Sequence, residues 1–412
     1  MEEKESWDWS TDLKEIPVKE WETRFNWVEE PCISPDGERV ASIVNVDEMV
    51  FGICENGEVW EGEYEKAWSL KALPNNQFIA CVCQDEEWTL AVNGEEWENR
   101  FDFIWDLQVS SDGAHIGLAI QRDSEYGMAV NDKPWETLYE NLSGAVMGET
   151  GATAGVVQVE SMGAADVDAF KKGIFSVALN GKAFDKKFLN AWDISFDRKN
   201  QSLAWGVRID RERYTIAVNG TPWTHEFQSV WKPVFAGEGQ SVLAPVRHGG
   251  KWKLFKDDKV FWETGYQQLW HVTQSEDKIA AIVAPSYGKW SVAQDDRVWP
   301  LTIDTMIREI RYSEDGSSLV AVVKDKDFWT LIKDGSKWKL SCDKVFAPVI
   351  SADGSILAAA VEKQGRWFVA ANDELITGPY DCMADPVISP DNSKVLVKGI
   401  ENGVYKRRII AL

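Results

Sequence analysis

The chain is 412 residues long, with 67 acidic against 44 basic side chains and a net charge of −23. Such a field repels nucleic-acid phosphates and anionic lipid surfaces at long range, so neither is an expected partner. No stretch approaches the roughly 18 apolar residues of a membrane span, and the first residues lack the basic and apolar regions of a signal peptide, so a soluble, cytoplasmic protein is expected.

That length exceeds one ordinary hydrophobic core and calls for several domains or a repeat array. The six cysteines (Cys32, Cys54, Cys81, Cys83, Cys342, Cys382) contain no C-x-x-C, and the four histidines are isolated. Zinc, iron–sulfur and haem sites need grouped thiolates or imidazoles, so no metal site and no cofactor are expected.

In chain order, residues 1–15 read as an acidic tail carrying Trp7 and Trp9. Next, Ile16-Pro-Val-Lys-Glu-Trp21 reads as a strand, followed by Phe25 and Trp27. From there one unit recurs. Its template is Trp88 to Gly113, which reads as strand, Asn-Gly turn, strand, and a third strand ending in Ser-Ser-Asp-Gly. The turn dipeptides are Asn56-Gly57, Asn93-Gly94, Asn131-Asp132, Asn180-Gly181, Asn219-Gly220, Asp257-Asp258, Asp295-Asp296, Asp334-Gly335 and Asn372-Asp373. Successive turns lie 37 to 39 residues apart, with one interval of 49, which marks a repeat array. Asn-Gly and Asp-Gly suit two-residue hairpins because both central residues take positive φ.

Aromatic residues keep step with these turns. Five positions before stand Phe51, Trp88, Tyr126, Phe175, Tyr214, Trp252, Trp290, Trp329 and Trp367. Four after stand Trp60, Trp97, Trp135, Phe184, Trp223, Phe261, Trp299 and Trp338, with Ile376 in the last unit. About twelve after stand Trp68, Trp105, Trp192, Trp231, Trp270 and Phe346. These registers absorb most of the 22 tryptophans and assign them to packing.

A second turn, Ser-x-Asp-Gly, recurs at Ser34, Ser110, Ser313 and Ser351, with Ser389-Pro-Asp-Asn as a variant. Strands such as Ile116-Gly-Leu-Ala-Ile120 follow it, apolar on both faces and therefore suited to lie between neighbouring sheets. Each unit of about 38 residues thus supplies four short antiparallel strands, and stacked sheets of this kind form an all-β propeller. The last unit lacks its fourth strand, and the strand near Ile16 supplies it, closing the array without an open edge. The count is then ten blades. One ten-bladed ring is favoured over two five-bladed rings, because no linker separates Asn219 from Asp257. The expected organisation is a tail over 1–15 and one propeller domain over 16–412.

One unit carries an extra loop over residues 160–173, in which Met162 and Phe170 are candidate partner contacts. Trp7, Trp9 and Trp205 join them, as tryptophans outside the three registers. G-x-S-x-G, a Walker loop and a dinucleotide fingerprint are all missing, so the chain is expected not to be an enzyme and no catalytic residue is assigned. An enzyme or small-ligand binder using the central channel is the alternative, and a free-standing interaction scaffold a third reading.

The tryptophan-rich unit with its Ser-Pro-Asp-Gly turns resembles the propeller repeats of the TolB and WD-repeat classes, although no Trp-Asp pair closes its units. More narrowly, the acidic, tryptophan-dense chain resembles the TmcD family, the tryptophan-rich subunits of the Tmc transmembrane electron-transfer complex of sulfate-reducing bacteria. That resemblance implies a scaffold on the cytoplasmic, iron–sulfur side of a membrane redox complex. Its partners would be an iron–sulfur subunit, a cytochrome b and a multihaem cytochrome c, which hold the electron carriers.

Overall fold

The computed structural model describes residues 2–161, 167–237, 239 and 241–412. Among them are ten small antiparallel sheets, and the fold is an all-β, ten-bladed β-propeller, as the repeat predicts. Two compact units divide the chain, Met1–Arg100 with Arg311–Leu412, and Phe101–Ile310. In chain order the blades span 27–59, 66–96, 103–134, 142–183, 190–222, 229–260, 268–298, 306–337, 344–380 and 382–411, the last completed by Leu13–Ile16.

Blade 3 shows how the sequence builds the unit. Its strands β1 (Phe103–Val109), β2 (Ile116–Arg122), β3 (Glu125–Val130) and β4 (Lys133–Pro134) pair in that order. Ile116, Leu118, Ala119 and Ile120 of β2 are all buried, so both faces of the second strand are packed. In β1 the register shifts between Trp105 and Gln108, where Asp106 takes φ 54°. A bulge of this kind bends the strand and re-aims one side chain.

The turn residue does more than accept positive φ. Asn131 (φ 45°) points its Oδ1 at the backbone N–H of Ile116, 2.8 Å away, while its Nδ2 donates to the Ala114 carbonyl at 2.9 Å. The same acceptor meets the first or second N–H of the second strand in eight other blades, from Asn56 to Val40 through Asp257 to Val242 to Asn372 to Leu357. Only Asn and Asp combine a left-handed backbone with that acceptor, which is why both occur here and nothing else does. We expect Asn131→Ala to lose about 1–2 kcal/mol of stability and Asn131→Asp to lose clearly less, read as denaturation midpoints.

In the Ser-x-Asp turns the Asp carboxylate accepts from the Ser hydroxyl and from the N–H two residues ahead, as in Ser351–Asp353–Ser355. The Ser351 and Ser389 hydroxyls hold Asp353 and Asp391 down at about 2, and Asp112 and Asp315 are lowered by similar bonds. A carboxyl depressed in the folded state stabilises it above the unfolded value near 4 and loses that contribution as pH falls through the folded value. Thermal melting should therefore drop between about pH 4 and pH 2, with a shallower drop in the Ser351→Ala, Ser389→Ala double variant.

In the first unit the chain termini meet. Leu13–Ile16 pairs with the final strand, Val404–Ala411, from Leu13 opposite Arg408 to Ile16 opposite Tyr405. The pairing strand therefore lies upstream of the Ile16–Trp21 stretch expected from sequence. Pro17 has no N–H for the ladder, and the chain turns helical over Val18–Glu20 and Trp21–Arg24. Residues 13–15 accordingly belong to blade 10 rather than to a tail. Three blade-10 side chains cap consecutive carbonyls of one blade-1 turn: Lys398 Nζ to Pro35 (3.0 Å), Arg407 Nε to Asp36 (3.0 Å) and Tyr405 Oη to Gly37 (2.7 Å). Gly37 is required there, since at φ 73° a Cβ would sit 2.9 Å from that hydroxyl. In the second unit the 160–173 insertion joins the second and third strands of blade 4 and contains a short helix, Val167–Lys172, where a plain loop was expected.

Candidate functional site

The three aromatic registers take three separate jobs. Rings four after the turn pack on the turn of the next blade: a Cβ on Gly94 would lie 3.5 Å from Trp60, one on Gly181 3.1 Å from Trp135, and one on Gly220 3.1 Å from Phe184. Rings five before the turn sit on the third strand. Against them stand the first-strand rings: Trp68 on Trp88, Trp105 on Tyr126, Trp192 on Tyr214, Trp231 on Trp252, Trp270 on Trp290 and Phe346 on Trp367, at centroid distances of 4.1 to 6.2 Å. The two inner registers are thus packing residues, except that in blade 6 Phe261 is 40 % exposed and the adjacent Trp262 is the buried ring. Of the first-strand rings, Trp68 is 37 % and Trp231 41 % exposed, the first meeting its partner edge-on and the second lying flat on it; Trp27, two positions earlier on blade 1, reaches 49 %.

The predicted contacts fare differently. Trp7 and Trp9 stack on each other at 6.3 Å, and Trp9 Nε1 donates to the Lys4 carbonyl. The segment around them is tied to blade 10, since Lys394 Nζ donates to the Trp9 carbonyl (2.8 Å) and Arg407 to the Asp8 carbonyl. Phe170 is exposed on the short helix of the insertion, whereas Met162 lies outside the described residues. Trp205 is corrected: it is fully buried, with its ring 5.3 Å from that of Phe184. It stands on the second strand at the place Leu118 fills in blade 3, so it is a core residue and offers no surface to a partner.

Several residues that build the frame were not singled out in the sequence. Tyr64, Phe101, Phe188, Phe227, Tyr266 and Tyr380 form a further register about eight after the turn, all at most 3 % exposed. They bridge to the ring five before it, as in Phe51 to Tyr64 and Phe175 to Phe188. Hydroxyls four before the turn donate to a carbonyl ten residues on, with Thr215 to His225 and Thr330 to Leu340 both at 2.7 Å. Where Asp replaces Gly as second turn residue, it reaches back to the preceding blade: Asp258 accepts from Thr224 N at 2.9 Å, Asp373 from Leu340 N at 2.8 Å. The spacing of each was there to read, but Ser, Thr and Asp near turns are too common to stand out.

Two clefts in the second unit hold polar side chains. One, of about 810 Å³, is lined by His115, Lys133, Trp135, Tyr139 and Lys182. Its main polar groups are already engaged, Trp135 Nε1 with Thr153 at 2.7 Å and Tyr139 Oη with the Gly181 carbonyl at 2.8 Å. The other, of about 570 Å³, is lined by Asp193, Trp231, Lys232, Val234, Trp270, His271 and Val272. Asp193, Lys232 and His271 each follow the first-strand tryptophan of their blade, and Asp193 (φ 55°) and His271 (φ 50°) sit at left-handed bulges. Desolvation raises the Asp193 carboxyl, against the opposing pull of Lys232. Among the described residues no group of three or more metal-ligating side chains is found.

No family model matches the chain, and no curated protein matches it. Solved structures do. A eukaryotic initiation factor is similar over 84 % of this chain and 88 % of its own, at 13 % identity and a TM-score of 0.46. A prolyl endopeptidase structure is similar over 72 % of this chain and 54 % of its own, at 10 % identity and a TM-score of 0.40.

Proposed function

We propose that the chain is a non-catalytic propeller scaffold whose first-strand tryptophans dock protein subunits of a membrane-associated electron-transfer complex, in the manner of the TmcD family. The observation that carries the docking role is the set of partly exposed first-strand tryptophans, Trp68 and Trp231 at one register and Trp27 two positions earlier on blade 1, each on a blade with its turn clamped. Rigid aromatic side chains of this sort dominate the energetics of protein interfaces. The tryptophan-rich repeat supports the redox setting, with the electron carriers held by iron–sulfur, cytochrome b and multihaem partners on the cytoplasmic side of the membrane. Thiol chemistry supports the non-catalytic role: burial pushes Cys81 up to about 12 and Cys342 and Cys382 up to about 11, so these groups stay protonated. No helix among the described residues is long and apolar enough to cross a membrane, so attachment would run through the partners.

Purification from native membranes in mild detergent should retain the chain with haem- and cluster-bearing subunits. A Trp27→Ser, Trp68→Ser variant should lose at least about tenfold in that association, because each ring is a surface anchor, while its melting temperature changes little. Wild-type chain that separates cleanly from all redox subunits would overturn the proposal.

A further inference from the structure

The cleft between blades 5, 6 and 7 has features that the docking role does not use. Three consecutive blades place a titratable or charged side chain at one register, Asp193, Lys232 and His271. Other blades also carry charge at this register, as Asp106, Glu309 and Asp385 do, but the cleft brings an acid, a base and an imidazole together on successive blades. Lys232 acts on Asp193 through space, yet no ion pair joins them and none of the three groups has a hydrogen-bond partner among the described residues. Opposite charges are therefore both present and both unspent.

The apolar walls are as specific. Trp231 lies flat on Trp252, with centroids at 5.3 Å and planes at 12°, which fixes the ring and leaves its other face exposed. Trp270 is held on Trp290 at 4.8 Å. Val234 and Val272 complete the lining. Two braced indoles favour a flat, π-bearing guest, and a volume of about 570 Å³ falls in the usual range of small-molecule sites.

Charge decides the class of guest. The net charge of −23 opposes accumulation of any anion, and Lys232 opposes a simple cation at the cleft itself. A zwitterion meets neither objection: its carboxylate faces Lys232 and His271, its ammonium faces Asp193. We propose that this cleft is a binding site for a small aromatic zwitterion of the amino-acid class, stacked between Trp231 and Trp270. The bulges serve the site by aiming Asp193 and His271 across it, since a left-handed residue within a strand turns its side chain out of the regular alternation.

The test is calorimetric titration of the purified full-length chain with three probes: L-phenylalanine, 3-phenylpropionate, which lacks the ammonium, and phenethylamine, which lacks the carboxylate. L-phenylalanine should bind saturably, and about tenfold or more tightly than either analogue, because each charged arm contributes a charge-assisted hydrogen bond. Asp193→Asn, which tolerates the left-handed backbone, should erase the advantage over 3-phenylpropionate alone. Lys232→Met should erase the advantage over phenethylamine alone. Absence of saturable L-phenylalanine binding, or binding that neither substitution alters in a chain with unchanged melting temperature, overturns the proposal. These titrations need no partner subunit, so their outcome is separate from that of the co-purification.

Discussion

A backbone N–H at the start of each second strand has no partner within its own sheet ladder. The propeller depends on how that group is satisfied. In nine blades the oxygen of a turn Asn or Asp reaches it at 2.7–3.0 Å, and the same residue holds the hairpin in the left-handed conformation. An unmet buried donor costs about 1–3 kcal/mol, so one short side chain per blade removes a penalty the fold would otherwise meet nine times. The turn is thus a corner brace as well as a reversal. With the corner fixed, the ring four residues later is set at the correct height to cover the following blade's turn, as Trp60 covers Gly94.

Tryptophan density follows from the same geometry. Short sheets bury little area each, and large flat rings supply apolar contact at every junction with few rotatable bonds. The first-strand ring is the one packed on a single side at Trp68 and Trp231. Its inner side meets the third-strand ring, flat in Trp231 on Trp252 and edge-on in Trp68 on Trp88, and its outer side is left over. Under the proposed docking role, structure and contact surface would be two sides of one indole, with no further chain to be ordered.

Much of this was legible in the sequence, and the gaps have physical causes. Turn spacing and aromatic registers give the four-stranded unit, the ten blades and the borrowed strand, because a two-residue hairpin fixes register on both sides of itself. The borrowed strand was placed a few residues late: Pro17 looks at home in an edge strand, but here it stops one. Trp205 was read as free because it breaks the aromatic rule, whereas a second strand packed on both faces has room for a large ring wherever its neighbour is small. Ala154 and Val156 of the preceding blade are among the residues packed around it. The cleft of Asp193, Lys232 and His271 was invisible for another reason. Its members are about 39 residues apart, and Asp193 and His271 sit at bulges that no residue-level preference announces.

The pairing of Leu13 with Arg408 sets a condition on biosynthesis. Leu13–Ile16 is made long before Val404–Ala411 and can take its place only when that strand has left the ribosome. Until then Ile16 and Trp21 lack the Tyr405 and Ile400 side chains they cluster with, and the blade-1 turn at Pro35–Gly37 keeps three bare carbonyls. A nascent chain must therefore carry an unfinished edge until blade 10 has emerged, and a product cut short before Lys398 would never lose it.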